Sequence, residues 1–130
     1  MPNKKNILII AKSVISTETD AIAQLNNRLT NDFPEAIQII LSSEGRLIVA
    51  GVGKSANIAN KMVATFNSTG QPSVFLHASE AMHGDLGNIQ KNDVVICISK
   101  SGNTEEIKML VPFVKNLGNK IISICGNKES

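Results

Sequence analysis

The chain has 130 residues, of which 42% are hydrophobic, and this size fits one domain with a real core. Its 13 basic and 11 acidic residues give a net charge of +2, and their scattering along the chain argues against nucleic acid or an anionic membrane as a partner. The sequence contains no apolar run of the roughly 18 residues that a membrane span needs, and its N-terminal residues lack the pattern of a signal peptide.

Helices are predicted for the N-terminal part of the chain. Apolar residues recur at mostly helical spacing through the first thirty residues, which indicates a long amphipathic helix. A second helix begins near Asp32, which can cap it, and runs to Gly45. We interpret residues 1–130 as a single domain with a helical segment at about residues 5–43 and a sheet-containing core at about residues 44–130.

The core contains four short runs rich in Val and Ile, which predict buried strands. These runs are Arg46–Val52, Pro72–His77, Asp93–Ser99 and Lys120–Gly126. Helix-sized segments separate them at residues 55–68 and 104–117, with a shorter piece within residues 78–87. Strands that alternate with helices predict an α/β fold with a parallel sheet.

Two features of the predicted strands bear on location and completeness. Cys97 and Cys125 lie in apolar runs that are typical of buried structural thiols, and together with the lack of a signal peptide they predict a cytoplasmic protein. The chain stops just after the fourth strand, so one edge of a doubly wound sheet is poorly covered and we expect a fragment or a shortened form.

The first candidate loop is Gly51–Ser55, at the end of the first strand. A nucleotide P-loop is disfavoured because Ile48 stands where that pattern needs Gly. A dinucleotide fingerprint is met loosely, but the next strand ends in His77 rather than in an acidic residue. An anion site at the helix N-terminus and a simple tight turn with a solvated Lys54 both remain open.

The second candidate loop, Ser99–Glu106, carries three hydroxyls and a Gly before a helix. Unpaired amides and hydroxyls at a helix N-terminus form a neutral anion cup that suits a phosphate monoester. Asn103 and Glu106 also match a helix-capping box, which explains those two residues but not the crowded hydroxyls. We therefore interpret this loop as a phosphate site.

The third segment, His77–Asp85, holds two histidines and two carboxylates. Its spacing fits no standard zinc pattern, so a hydrogen-bonded turn is favoured and no metal site is predicted.

Four ordered motifs carry a family resemblance: Gly51–Ser55, Lys61–Gly70, Glu80–Gly87 and Ser99–Thr104. With them the sequence resembles the sugar isomerase (SIS) domain family, and within it the arabinose 5-phosphate isomerases, from about Gly45 to the end. The resemblance implies a flavodoxin-like, three-layer α/β/α fold. It also implies a homotetrameric aldose–ketose isomerase without an organic cofactor, which interconverts ribulose 5-phosphate and arabinose 5-phosphate for Kdo or capsule biosynthesis.

The resemblance also implies roles for particular residues. By position, Lys54, His83 and Glu106 match active-site residues of the family, and we expect an electrostatic partner, a proton shuttle and a general base, respectively. The residues that match its substrate-binding groups are Gly53, Ser55, Ser99, Ser101, Gly102 and Thr104. The family's domain continues beyond Ser130 with a further catalytic Glu and His, and the CBS domains of many relatives are not expected here.

Other functions stay open at this point. SIS domains also occur as non-catalytic phosphosugar sensors in transcriptional regulators, although no helix-turn-helix precedes the domain in this sequence. A different phosphosugar isomerase or a sugar-acid etherase could use the same phosphate cup.

Overall fold

The computed structural model describes residues 3–130, which form two compact units that end and begin at Glu35 and Ala36. Helix α1 (Lys4–Gln24) continues into a 3₁₀ turn (Leu25–Asn27), and α2 (Asp32–Leu41) runs across the boundary between the units. The side chain of Asn3 caps α1 by accepting a hydrogen bond from the Lys5 N–H at 3.1 Å. Among the helices of residues 3–130, none is long and apolar enough to cross a membrane.

The second unit contains a four-stranded sheet, and all of its strands are parallel. The strands are β1 (Leu47–Gly51), β2 (Ser73–His77), β3 (Val94–Ser99) and β4 (Lys120–Cys125). Their spatial order is β2-β1-β3-β4, which matches the first four strands of a flavodoxin-like sheet. The predicted α/β fold with a parallel sheet is confirmed, and each strand boundary lies within one residue of the prediction.

Helices cover both faces of the sheet, which gives the three layers that the resemblance implies. Helix α3 (Lys54–Ser68) packs on the face that carries Leu47, Val49, Val94 and Ile96. Helices α4 (Ala78–Ala81) and α5 (Glu105–Asn116) pack on the face that carries Ile48, Ala50, Val95 and Cys97. The central strands β1 and β3 are buried along their full length because helices lie on both sides of them.

The outer strand β4 differs from the central strands. It pairs with β3 alone, and most of its residues are exposed. Cys125 at its end is therefore exposed, whereas Cys97 in β3 is buried, and burial raises the pKa of the Cys97 thiol to about 11. The prediction that both thiols are buried is wrong for Cys125, because an apolar run at a sheet edge looks the same in sequence as one in its centre.

A buried carboxylate fastens the amino ends of β1 and β3. Asp93 is 2% exposed, and one of its oxygens accepts hydrogen bonds from the backbone N–H and Nε of Arg46, at 2.8 and 3.3 Å. Its other oxygen accepts from Nη2 of Arg46 and from the N–H of Gln90, each at 2.8 Å. Burial alone would raise the pKa of Asp93, but these hydrogen bonds outweigh burial and lower the pKa below its usual 3.8.

We expect Asp93→Asn to destabilise the fold by about 2 kcal/mol, because either orientation of an amide turns its NH₂ group toward two donors. Since the pKa of Asp93 is lowered by folding, its stabilisation is present above pH 3.8 and is lost as the pH falls below that value. Urea unfolding of both proteins between pH 3 and pH 7 measures this. The difference between them should shrink toward the acid end, and a difference that stays constant with pH would contradict the assignment.

Candidate functional site

Two loops meet where β1 and β3 end. These strands are neighbours in the sheet, with Ala50 paired to Cys97, so the loops that follow them lie side by side at the carboxyl end of the sheet. The helix after β1 lies on one face of the sheet and the helix after β3 lies on the other. The crevice between such strands is where ligands bind in flavodoxin-like sheets. We call this place the β1/β3 crevice.

Two glycines shape the first loop. A Cβ atom at Gly51 would lie 2.9 Å from the carbonyl group of Ser55, so only glycine lets β1 approach the start of α3 this closely. Gly53 has φ +57° and ψ −128°, a conformation that side chains strongly disfavour. The glycines therefore bring the first turn of α3 against the end of the strand.

The first turn of α3 is available to an anion. Gly53 precedes the helix without a side-chain cap, and the N–H of Ala56 bonds back to the carbonyl of Gly53 at 3.1 Å. Lys54 is exposed and Ser55 is half-buried. The first N–H groups of a helix need partners from outside it, and the helix dipole makes this end favourable for negative charge.

The second loop is held by its own hydroxyls. Ser99, which is buried, shares a hydrogen bond of 2.7 Å with the hydroxyl of Thr104. The Oγ of Ser99 also accepts from the N–H of Gly102 at 3.0 Å. Ser101 lies on the exposed side of the loop, and its Oγ accepts from the N–H of Asn103 at 3.1 Å. The loop is thus held in shape by hydrogen bonds among its own residues.

The capping interpretation of this loop is wrong. Helix α5 is preceded by Thr104 rather than by Asn103, and no side chain caps it. The hydroxyl of Thr104 bonds to Ser99 instead. Ser99 is the last residue of β3 and is buried there, so its hydroxyl needs a partner within the protein. The N-terminus of α5 therefore keeps amides for a ligand, like that of α3.

The charged candidates Glu106 and His83 follow different strands of the sheet. Glu106 is half-buried in the first turn of α5, next to Glu105, which is paired with Lys108 at 2.7 Å. His83 is exposed and follows α4, on the connection from the outer strand β2 to β3. The fold thus leaves His83 on a separate segment. At the β1/β3 crevice it brings Glu106 together with seven further candidates, which are Gly53, Lys54, Ser55, Ser99, Ser101, Gly102 and Thr104.

Residues 3–130 contain no group of three or more His, Cys, Asp or Glu side chains that is placed to hold a metal ion. A cleft of about 360 Å³ lies elsewhere, at the amino ends of β3 and β4, where Val94, Asn119 and Lys120 line it. That cleft is at the opposite edge of the sheet from the crevice.

One further polar residue, which is not among the predicted site residues, lies at the end of β2. His77 ends β2 at the same edge of the sheet, and it is paired with Gly51 of the first loop. Its Nδ1 atom is buried and has no hydrogen-bond partner in the described part of the chain. The signal in the sequence that could have drawn attention to His77 is a polar residue at the end of an otherwise apolar strand.

The SIS domain profile matches residues 40–130 of the chain. The chain is 51% identical over 127 residues to a Haemophilus influenzae protein named probable arabinose 5-phosphate isomerase, covering 98% of this chain and 38% of that protein. It is 47% identical over 120 residues to the arabinose 5-phosphate isomerase KdsD of Pseudomonas aeruginosa, covering 92% of this chain and 37% of that one. The chain thus spans less than two fifths of the length of these relatives.

A solved structure is similar over nearly the whole chain. It is an E. coli CFT073 protein in complex with arabinose 5-phosphate, with a TM-score of 0.94 and 40% sequence identity, and the similarity covers 99% of this chain and 69% of that one.

We expect Ser99→Ala to cost about 1–2 kcal/mol of stability, because it leaves the N–H of Gly102 and the hydroxyl of Thr104 without their buried partner. Ser101→Ala is the matched control, since it removes the same hydroxyl from an exposed position and should change stability by less than about 0.5 kcal/mol. Thermal unfolding measures both variants. Equal losses would mean that Ser99 does not organise the loop.

Proposed function

The chain belongs to the SIS domain family, and we propose that it binds a sugar phosphate in the β1/β3 crevice and belongs to an isomerase of arabinose 5-phosphate and ribulose 5-phosphate. One observation carries the proposal: the uncapped N-termini of α3 and α5 converge with several hydroxyls at the ends of two neighbouring strands. The names of the relatives and the arabinose 5-phosphate complex of the similar structure support the choice of substrate.

The phosphate group is the part of the substrate that the crevice suits best. In our proposal it accepts hydrogen bonds from the first N–H groups of α3, near Gly53 and Ser55, and from the hydroxyls of Ser101 and Thr104. Ser99 and Gly102, which already bond to each other, hold the loop in shape. The amides and hydroxyls that bind the phosphate are neutral, and exposed Lys54 adds a positive charge beside them.

The isomerisation moves a proton between two neighbouring carbons and passes through an enediolate. We assign the general base to Glu106, the transfer of protons between the sugar oxygens to His83, and stabilisation of the developing negative charge to Lys54. Proton transfer supplies about 10²–10⁴-fold of the rate, so alignment of the sugar by its anchored phosphate has to supply much of the rest. The two free thiols are typical of a reducing compartment, and we place the reaction in the cytoplasm, in the supply of Kdo or capsule sugars.

The proposal also includes self-association through α1. None of the residues of α1 is buried, although the helix carries large apolar side chains along its length. Leu8, Ile15 and Ile22 are 63%, 65% and 68% exposed, and their spacing of seven residues places them in one stripe of the helix. A second copy of the chain is the partner that such a stripe favours, and the resemblance indicates a tetramer.

The test of the proposed activity is conversion of ribulose 5-phosphate to arabinose 5-phosphate. We expect this chain to bind both sugar phosphates in calorimetry. In whichever form of the protein turns over, this chain or an extended version, Lys54→Met should lower turnover by about 10²–10³-fold, since an electrostatic stabiliser is removed. Wild-type turnover in Lys54→Met would refute its role. Lys61→Met, an exposed lysine further along α3, is the matched control.

The Haemophilus relative serves as the reference for the effect of chain length on turnover. It is assayed both complete and shortened to the 127 residues that match this chain. If the complete relative turns over and neither the cut form nor this chain does, the remaining part of such proteins is required for catalysis. If this chain binds sugar phosphates but a version extended to the length of the relatives stays inactive, the non-catalytic sensor is the better function. Absence of binding would contradict the proposal altogether.

For self-association, we expect Ile15→Glu combined with Ile22→Glu to reduce the molar mass in solution toward that of one chain, because buried carboxylates in an apolar interface cost several kcal/mol. Light scattering during gel filtration measures the mass. Ser13→Glu, on the opposite side of α1, is the control and should leave the mass unchanged. An unchanged mass in the double variant would exclude this surface as the interface.

A further inference from the structure

His77 has two ring nitrogens in different surroundings. Nδ1 is buried without a hydrogen-bond partner in residues 3–130. Nε2 also makes no hydrogen bond there, but it is not among the buried atoms, so it is accessible to solvent. Of the two ring nitrogens, Nδ1 is therefore buried and Nε2 is accessible to solvent.

The sheet geometry places this outward nitrogen near the β1/β3 crevice. Phe75 packs against the side of the sheet that α3 covers, and His77, two residues further on, points to the same side. His77 is level with Gly51, at the edge where α3 begins. Strands lie about 4.8 Å apart, so the ends of β2 and β3 are separated by about 10 Å, a span comparable to an open-chain pentose phosphate.

The sealed nitrogen decides where the proton sits. A neutral imidazole carries one proton, so one of its nitrogens is a donor and the other an acceptor. A buried N–H without an acceptor is rarer in proteins than an under-satisfied acceptor. The proton of neutral His77 is therefore favoured on Nε2, where it can be donated outward.

We propose that His77 is a substrate-binding residue whose Nε2–H donates a hydrogen bond to a carbonyl or hydroxyl oxygen at the sugar end of a phosphosugar held in the β1/β3 crevice. The inference rests on the proposed function, since the phosphate anchored between β1 and β3 directs the sugar across the end of β1 toward β2. A neutral imidazole N–H is also suited to polarise a carbonyl oxygen. His77 thereby distinguishes a sugar phosphate from phosphate alone.

The first test is nitrogen NMR of the histidine-labelled chain at pH 8, with the signals of His77 assigned by their loss in His77→Leu. We expect the proton on Nε2, and we expect the Nε2 signal to move when arabinose 5-phosphate is added but not when inorganic phosphate is added. A proton on Nδ1, or a signal that arabinose 5-phosphate leaves in place, would overturn the inference. The tautomer and the shift are both measured on the unaltered protein, and the variant serves only to assign the signals.

The second test compares two substitutions in calorimetry. His77→Leu removes the donor and should weaken arabinose 5-phosphate binding about tenfold while inorganic phosphate binds as before. His77→Gln keeps an N–H group at a similar reach and should restore most of the affinity. Thermal unfolding of both variants shows whether they are folded.

The outcomes separate this inference from the proposed function. Unchanged arabinose 5-phosphate affinity in a folded His77→Leu variant overturns the role of His77 and leaves the proposed function standing. Equal weakening of arabinose 5-phosphate and inorganic phosphate also overturns it, because His77 would then act on the phosphate site as a whole. If the unaltered chain binds no sugar phosphate, both proposals fail.

Discussion

The pairing of β1 with β3 is the constraint on which the candidate site depends. Each strand is buried along its length, and their register places the ends of both at one edge of the sheet. The helices that follow leave on opposite faces, so their N-termini flank a crevice instead of packing against each other. At the opposite end of the sheet, the ion pair between half-buried Arg46 and buried Asp93 joins the starts of the same two strands.

The two loops of the crevice reach a similar chemistry by different means. The loop after β1 exposes backbone amides, and it does so with glycines, because a Cβ at Gly51 or the backbone angles at Gly53 would exclude other residues. The loop after β3 keeps its side chains and ties them together through Ser99. Both leave a helix without a side-chain cap, so the positive ends of two helices face the same space.

Much of the fold could be predicted from the pattern of residues, because buried parallel strands are continuous apolar runs and helices fill the gaps between them. The observed strand order agrees with the flavodoxin-like fold that the family resemblance implies. The exposure of Cys125 could not be predicted, since it depends on which strand lies at the edge. The lack of a side-chain cap on α5 could not be predicted, because the hydroxyl of Thr104 bonds to Ser99, a partner that only the packed sheet provides. The sealed nitrogen of His77 likewise depends on neighbours that are distant in sequence.

The internal hydrogen bonds of the Ser99–Thr104 loop have an entropic consequence. A flexible loop loses conformational freedom when it closes on a ligand, at a cost of about 1–2 kcal/mol for each residue whose backbone becomes fixed. Here Ser99, Gly102 and Thr104 are already fixed by one another. Binding of a phosphate therefore has to displace water from the loop but not to order it, so more of the interaction energy remains for aligning the sugar.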